Sequence, residues 1–145
     1  MKQNYVQIYT NKGINKVSGG LELLFRIIAQ EDSIYLGMFV ANAQNRAIAQ
    51  LENCYPHLTV EEYYVAGSLE AAEQSFQRIR EALTSNYYSM VIVEGTDMAI
   101  AQGLLTPSQL YHLAESSSDK TGLVMIDRCA YLNSFLRNDA EVLIQ

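Results

Sequence analysis

The chain has 145 residues, a length that supports a proper hydrophobic core but not a second one, so we expect one domain over residues 1–145. Its composition, 49% hydrophobic and 18% charged, is ordinary for a soluble globular protein. The formal net charge of −6 argues against nucleic-acid binding, and no apolar run approaches the length of about twenty residues that a membrane span needs. We therefore expect a cytoplasmic protein with neither a nucleic acid nor a membrane as its partner.

A short strand and a turn-rich loop open the chain, at residues 5–20, YVQIYTNKGINKVSGG. They have the outline of the phosphate-binding pattern G-x-x-x-x-G-K-[ST], in which glycines let backbone N–H groups face phosphate, lysine contacts the terminal phosphates and the hydroxyl holds Mg²⁺. Lys16 matches the lysine, but Asn11, Asn15 and Val17 stand at or near the other three positions. On its own the match is weak, and a solvated turn that carries lysines is the default alternative.

A helix and a buried strand follow the loop. Apolar side chains at helical spacing predict a helix over residues 17–30, with an apolar face that is wider than one stripe. The run IYLGMFV at 34–40 is almost continuously apolar, which is typical of strands covered on both faces of a parallel sheet.

The next two elements are a short helix over residues 43–53 and a strand at 58–65, LTVEEYYV. The strand carries Glu61 and Glu62, a pair that suggests acid–base catalysis. Adjacent strand residues point to opposite faces, however. We therefore expect solvated charges at a strand end or a sheet edge.

The clearest helix covers residues 69–83, with Ser68 as its N-cap and apolar residues at every third or fourth position. The strand after it, YYSMVIVEG at 87–95, ends in Glu94. In a phosphate-binding fold, a carboxylate at that end of a strand faces the nucleotide phosphates and their Mg²⁺. Strand-terminal acids are also common without a function, so Glu94 becomes a candidate metal ligand only in combination with Lys16.

The last third of the chain repeats the alternation. Thr106-Pro107-Ser108-Gln109 has the residues of a helix start with a capping box, GLVMI at 122–126 is a further strand, and a helix is predicted around residues 132–136. Alternating strands and helices imply a three-layer α/β domain of P-loop type. We expect a largely parallel sheet of about five or six strands, helices on both faces, and ligands at the carboxyl ends of the strands.

Residues 9–26, YTNKGINKVSGGLELLFR, resemble YTGxGKGKTTAALGLALR of the ATP:corrinoid adenosyltransferases, the cob(I)alamin adenosyltransferase family of P-loop proteins. The resemblance continues in the same order along almost the whole chain. Phe39 is similar to the phenylalanine of a QFxKG-like segment, and Glu94 and Gly95 stand where the family has the Asp and Glu of YDLVVLDE. Residues 101–105, AQGLL, match a GLL, and 126–130, IDRCA, match TGRxAP.

The resemblance implies a reaction and its ligands. In this family the loop holds the triphosphate of ATP with Mg²⁺, and the cobalt of a reduced corrinoid attacks the ribose 5′ carbon, so that triphosphate leaves. Where the site is functional, the resemblance implies ATP, magnesium and a corrinoid as ligands, Glu94 as a metal ligand, and a homodimer; it assigns no catalytic residue. The implied nucleotide- or corrinoid-binding residues are Asn11, Lys12, Gly13, Ile14, Asn15, Lys16, Val17, Ser18, Phe39 and Arg128.

The departures from the family fall on the motif positions. Val17 removes the metal-binding hydroxyl, and Asn15 narrows the backbone cradle. A hydrogen bond to a charged group contributes about 1.5–3 kcal/mol, so the loss of two would weaken nucleotide binding by a factor of roughly hundreds. The sequence therefore favours a diverged member with weak or absent catalysis, acting as a nucleotide-binding or interaction protein.

Two alternatives stay open. One is a working ATP:corrinoid adenosyltransferase, in cobalamin biosynthesis or salvage, in which Lys12, Ser18 and Glu94 substitute for the missing groups. The other is a scaffold that binds no nucleotide and uses its 10 tyrosines for a protein partner, because tyrosine is enriched at interfaces. The same tyrosines could equally pack between strands.

Overall fold

The computed structural model describes residues 6–10, 33–40, 55–64, 69–118, 120–127 and 141–144. The elements follow one another as β1 (Val6–Thr10), β2 (Ile34–Val40), β3 (Leu58–Tyr64), α1 (Leu69–Thr84), β4 (Met90–Glu94), α2 (Thr96–Ala101), α3 (Pro107–Ser116), β5 (Gly122–Asp127) and β6 (Glu141–Ile144). The helices predicted over residues 17–30, 43–53 and 132–136 lie outside the described residues.

The six strands of the described residues form one sheet in the order β3-β2-β4-β5-β1-β6. Every neighbouring pair is parallel, so all the carboxyl ends lie along one edge of the sheet. The α/β class and the parallel sheet predicted from the sequence are confirmed, and the arrangement is consistent with a P-loop-type fold.

Both faces of this sheet are buried. One face, which we call the helix face, packs against α1, α2 and α3. Its core includes Tyr35, Phe39, Ile79, Leu83, Val91, Leu110, Leu113 and Leu123. The second face has its own buried cluster, which among the described residues consists of strand residues alone: Ile34, Leu36, Met38, Leu58, Ile92, Val124 and Ile126. Burial on both faces explains why the sequence of β2 is apolar at almost every position.

The chain leaves β2 and β4 in opposite directions along the sheet. From β2 it continues to β3 at the sheet edge, whereas from β4 it continues through α2 and α3 to β5 on the other side. In open parallel sheets, ligands bind in the crevice that such a reversal leaves at the carboxyl ends of the strands. We call residues 39–40 and 94–95, which stand at this position, the β2–β4 crevice.

Helices α1 and α3 begin where the sequence predicts them to begin. The side chain of Thr106 accepts a hydrogen bond from the Gln109 backbone N–H at 3.1 Å, and the side chain of Gln109 accepts one from the Thr106 backbone N–H at 3.0 Å. This reciprocal capping box fixes the start of α3. Every helix within the described ranges is too short or too polar to span a bilayer.

Candidate functional site

The parallel register brings the ends of four strands to nearly the same level. Met38 on β2 pairs with Glu94 on β4, and Glu94 pairs with Ile126 on β5. One residue further along, Asp127 on β5 pairs with Thr10, the last residue of β1. Because neighbouring strands are about 4.8 Å apart, the ends of β1 and β4 are about 10 Å apart, with β5 between them. Thr10, after which the predicted phosphate loop follows in the sequence, and Glu94, the predicted metal ligand, thus lie at the same edge of the sheet.

Glu94 ends β4 with a partly buried side chain, and its Oε2 atom is buried. Paired residues of adjacent parallel strands share a face, so Glu94 lies on the second face, level with Met38 and, beyond it, with Glu62 on β3. The Oε2 atom of Glu62 is also buried and has no hydrogen-bond partner among the described residues. In that part of the chain no three His, Cys, Asp or Glu side chains form a group that could hold a metal ion. Within the described ranges, Glu94 is therefore not a member of such a group.

A tight turn at Gly95 separates β4 from α2. Gly95 has φ 84° and ψ 25°, a left-handed conformation that favours glycine. A Cβ placed on Gly95 would lie only 2.8 Å from the Phe39 carbonyl oxygen and 3.3 Å from the Phe39 Cβ. The Gly95 N–H donates a hydrogen bond to the Ile126 carbonyl at 3.0 Å. The turn is thus bonded to β5 and pressed against β2, and it leaves no space for a side chain.

The next residue, Thr96, is the first of α2 and is fully buried. Its Oγ1 atom has no hydrogen-bond partner among the residues that the structure describes. Such a buried hydroxyl costs about 1–3 kcal/mol unless it is satisfied.

Phe39 is the other predicted site residue that the structure describes. Its ring lies on the helix face, 3% exposed, and packs against the Tyr63 ring with the centroids 5.5 Å apart. Its carbonyl oxygen lies nearest to the position that a Cβ on Gly95 would occupy. In this structure Phe39 therefore borders the crevice with its backbone, while its side chain belongs to the core.

The acidic pair on β3 is split between the two faces and lies on an edge strand, as predicted, but the Glu61 side chain is hydrogen-bonded and only 26% exposed instead of fully solvated. Glu61 accepts hydrogen bonds from the Tyr35 hydroxyl at 2.8 Å, from the Tyr63 hydroxyl at 3.3 Å and from Arg78 Nη1 at 2.6 Å. The two tyrosine hydroxyls also lie within hydrogen-bond distance of each other. Each hydroxyl carries one proton, so at most two of these three hydroxyl contacts are donated at one time. We call these four residues the Glu61 network; it joins β2, β3 and α1.

Gly37 has no side chain, and this leaves room for the two tyrosine rings of the Glu61 network. Gly37 pairs with Glu61 across β2 and β3, and a Cβ placed on Gly37 would lie 3.1 Å from Tyr35 Cε1 and 3.4 Å from Tyr63 Cε2. The tyrosine rings lie over the empty position and bring their hydroxyls to the carboxylate. Burial raises the pKa of the Tyr35 hydroxyl far above its ordinary value, and burial likewise raises the pKa of Tyr63. Both side chains are therefore neutral hydrogen-bond donors at physiological pH.

The tyrosines whose side chains the structure describes fall into two groups by exposure. Tyr35 is buried, and Tyr63 and Tyr88 are partly buried; the Tyr88 hydroxyl donates to Thr59 Oγ1 at 3.1 Å. The exposed tyrosines within the described ranges are Tyr55, Tyr87 and Tyr111, at 39%, 61% and 36% exposure. Packing thus accounts for the first group, and among the tyrosines whose exposure the structure describes the second group lies at the surface.

The remaining predicted site residues lie outside the described residues. They are Asn11, Lys12, Gly13, Ile14, Asn15, Lys16, Val17, Ser18 and Arg128. Among the predicted residues, the structure thus places Glu94 and Phe39 on neighbouring strands at the carboxyl edge.

These features define the class of protein: an α/β protein with a parallel sheet, at whose carboxyl edge Phe39 and Glu94, the two predicted site residues that the structure describes, both lie. The family described as ATP:corrinoid adenosyltransferase BtuR/CobO/CobP matches residues 2–140. The chain belongs to this family, and it is therefore a corrinoid adenosyltransferase-like protein of a family that uses ATP and a corrinoid. Comparison with individual curated proteins gives no match.

Proposed function

We propose that the chain is a diverged adenosyltransferase-like protein that retains a weakened nucleotide site and has weak or no transferase activity. The observation that supports this most directly is the turn at Gly95. The family motif has its second acid at this position, where this chain has a left-handed glycine whose Cβ would lie 2.8 Å from the Phe39 carbonyl oxygen. A carboxylate at residue 95 would require β2 or the turn to move.

The chemistry of the family explains why this matters. When triphosphate leaves, the negative charge that develops on it has to be stabilised by cations at the site. A bound magnesium ion supplies this stabilisation, and Glu94 is the described carboxylate that would hold it. Lys16 would contribute a second positive charge, while Val17 offers the metal no oxygen. The hydroxyl that Val17 replaces and the acid that Gly95 replaces are the missing groups. Their loss weakens leaving-group stabilisation more than it weakens the fold.

Calorimetric titration with Mg-ATP tests the nucleotide site. We expect the unsubstituted protein to bind Mg-ATP, and Lys16→Ala to weaken binding by about tenfold to a hundredfold, the range for one hydrogen bond to a charged group. Lys120→Ala is the matched control, because Lys120 is exposed and precedes the amino end of β5, at the opposite edge of the sheet from Glu94. Absence of heat with millimolar Mg-ATP would refute the nucleotide site and favour the scaffold alternative.

Retained transferase activity is the second candidate function, favoured by the position of Glu94 at the carboxyl edge. In this case Lys12, Ser18 and Glu94 would replace the missing family groups. Adenosylation of reduced corrinoid by the unsubstituted protein, followed by its complete loss in Lys16→Ala, would establish this activity. Absence of adenosylation by the unsubstituted protein would exclude this activity, and equal turnover by the two proteins would exclude a role for Lys16 in it.

We also propose that the protein forms the homodimer implied by the resemblance. Analytical ultracentrifugation of the full chain measures this directly. A single species with the mass of one 16.3 kDa chain across the concentration range would contradict it.

A further inference from the structure

The Glu61 network is an unusual feature of the helix face, whose core is otherwise built largely from apolar side chains. The Glu61 side chain is only 26% exposed, and burial of a carboxylate is costly unless it is hydrogen-bonded. Here three side chains from two strands and one helix satisfy it. Such a network fixes the relative positions of the elements that contribute to it.

A continuous series of contacts leads from this network to the β2–β4 crevice. Tyr63, which Glu61 holds by its hydroxyl, packs its ring against Phe39. The Phe39 carbonyl and Cβ in turn form the wall against which Gly95 turns. Gly95 directly follows Glu94, the candidate metal ligand. Because packed protein interiors have few voids, a displacement of Tyr63 has to be taken up by the next residue in this series.

We propose that Glu61 is a positioning residue for the β2–β4 crevice, holding Tyr63 and Phe39 so that the turn at Gly95 presents Glu94 correctly. The inference rests on the proposed function and deepens it. It states that Glu61, which lies outside the nucleotide site, positions the residues of that site. The hydrogen bonds of Glu61 go to Tyr35, Tyr63 and Arg78, none of which is a residue of the crevice. As a positioning residue, Glu61 does not bind the ligand itself. It acts through Tyr63.

The ion pair with Arg78 is the smaller part of this effect. The Arg78 side chain is 56% exposed, and exposed ion pairs contribute little because water and salt screen them. The tyrosine hydroxyls are the contacts that lead toward the crevice. Substitutions that remove the ion pair and the tyrosine hydrogen bonds separately therefore test the inference.

Methionine methyl NMR provides a readout that does not depend on nucleotide. Met98 Cε would lie 3.6 Å from a Cβ on Gly95, so its methyl resonance reports on the turn. Met90 begins β4 at the amino edge and serves as an internal control. With only 5 methionines in the chain, the two signals can be assigned by Met98→Leu and Met90→Leu.

We expect Glu61→Ala to shift the Met98 resonance, to leave Met90 in place and to raise the Mg-ATP dissociation constant roughly two- to thirtyfold, the range for coupling through packed residues. Glu61→Gln keeps an acceptor for the tyrosine hydroxyls and should restore both properties. Arg78→Gln removes the ion pair alone and should change neither. If Glu61→Ala does not fold, Tyr63→Phe, which keeps the ring and removes the hydroxyl anchor, should shift the Met98 resonance and leave Met90 in place.

If the Met98 resonance does not move in folded Glu61→Ala, or in Tyr63→Phe where that variant replaces it, the inference is overturned. An equal shift in Arg78→Gln would also overturn it. Failure of the proposed function looks different. In that case the unsubstituted protein gives no heat with Mg-ATP, while the Met98 resonance still shows whether Glu61 positions the turn.

Discussion

At the scale of single residues, two glycines allow steric crowding to be separated from backbone strain. Gly95 and Gly103 both have positive φ, at 84° and 77°, but a Cβ on Gly103 would meet no atom within 4 Å. We expect Gly103→Ala to lower the free energy of unfolding by about 1–2 kcal/mol, the cost of a left-handed residue with a side chain. Gly95→Ala adds a clash with the Phe39 carbonyl, and we expect about 2–4 kcal/mol. Urea denaturation of both variants measures the difference, and equal losses would show that β2 yields to the methyl group.

The buried tyrosine of the Glu61 network predicts a pH dependence of stability. The pKa of Tyr35 is raised in the folded protein, whereas in the unfolded chain it is about 10. The unfolded chain therefore loses this proton first as the pH rises, and the free energy of unfolding falls above about pH 10 by up to about 1.4 kcal/mol per pH unit. Below that pH both states hold the proton and Tyr35 contributes no slope. Urea midpoints measured across this range should fall less steeply for Tyr35→Phe; parallel slopes would contradict the prediction.

At the scale of elements, the start of α3 depends on its cap. Thr106→Ala removes the acceptor for the Gln109 backbone N–H, and we expect a loss of about 1 kcal/mol in the free energy of unfolding. Ser108→Ala is the matched control, because Ser108 is exposed in the first turn of the same helix. We expect its effect to stay within about 0.5 kcal/mol. Denaturant titration compares them, and equal effects would mean that the capping box contributes little.

Elements with a strong local signal were predictable from the sequence. The period of α1, the capping residues of α3 and the apolar run of β2 each depend on neighbouring residues alone, and the structure confirms them. The roles of Glu61 and Gly95 depend instead on which strands are neighbours. β2 lies between β3 and β4, and this placement alone brings Tyr35 to Glu61 and Phe39 to Gly95. The available signal was a tyrosine on each of two consecutive strands, with a glycine on the first strand, but this signal cannot be interpreted without the strand order.

At the scale of the whole molecule, the strand order decides how the candidate site is divided. The end of β1 and the carboxylate that ends β4 belong to distant parts of the sequence, and the parallel sheet brings them to one edge, with β5 between them. A nucleotide bound at this edge would contact both sides of β5. Such binding stabilises the folded state because the unfolded chain has no site.

This arrangement predicts that magnesium and Glu94 act together on the stability of the whole protein. We expect ATP to raise the Tm more with Mg²⁺ than with a chelator, because the carboxylate would hold the metal that bridges the phosphates. Glu94→Gln should abolish this difference, with each Tm shift measured from the variant's own Tm without ligand. Glu115→Gln, an exposed position on α3, is the matched control and should behave as the unsubstituted protein. A magnesium effect that persists in Glu94→Gln would mean that the metal is held by the loop and the nucleotide alone, and that the end of β4 has lost its role in the site.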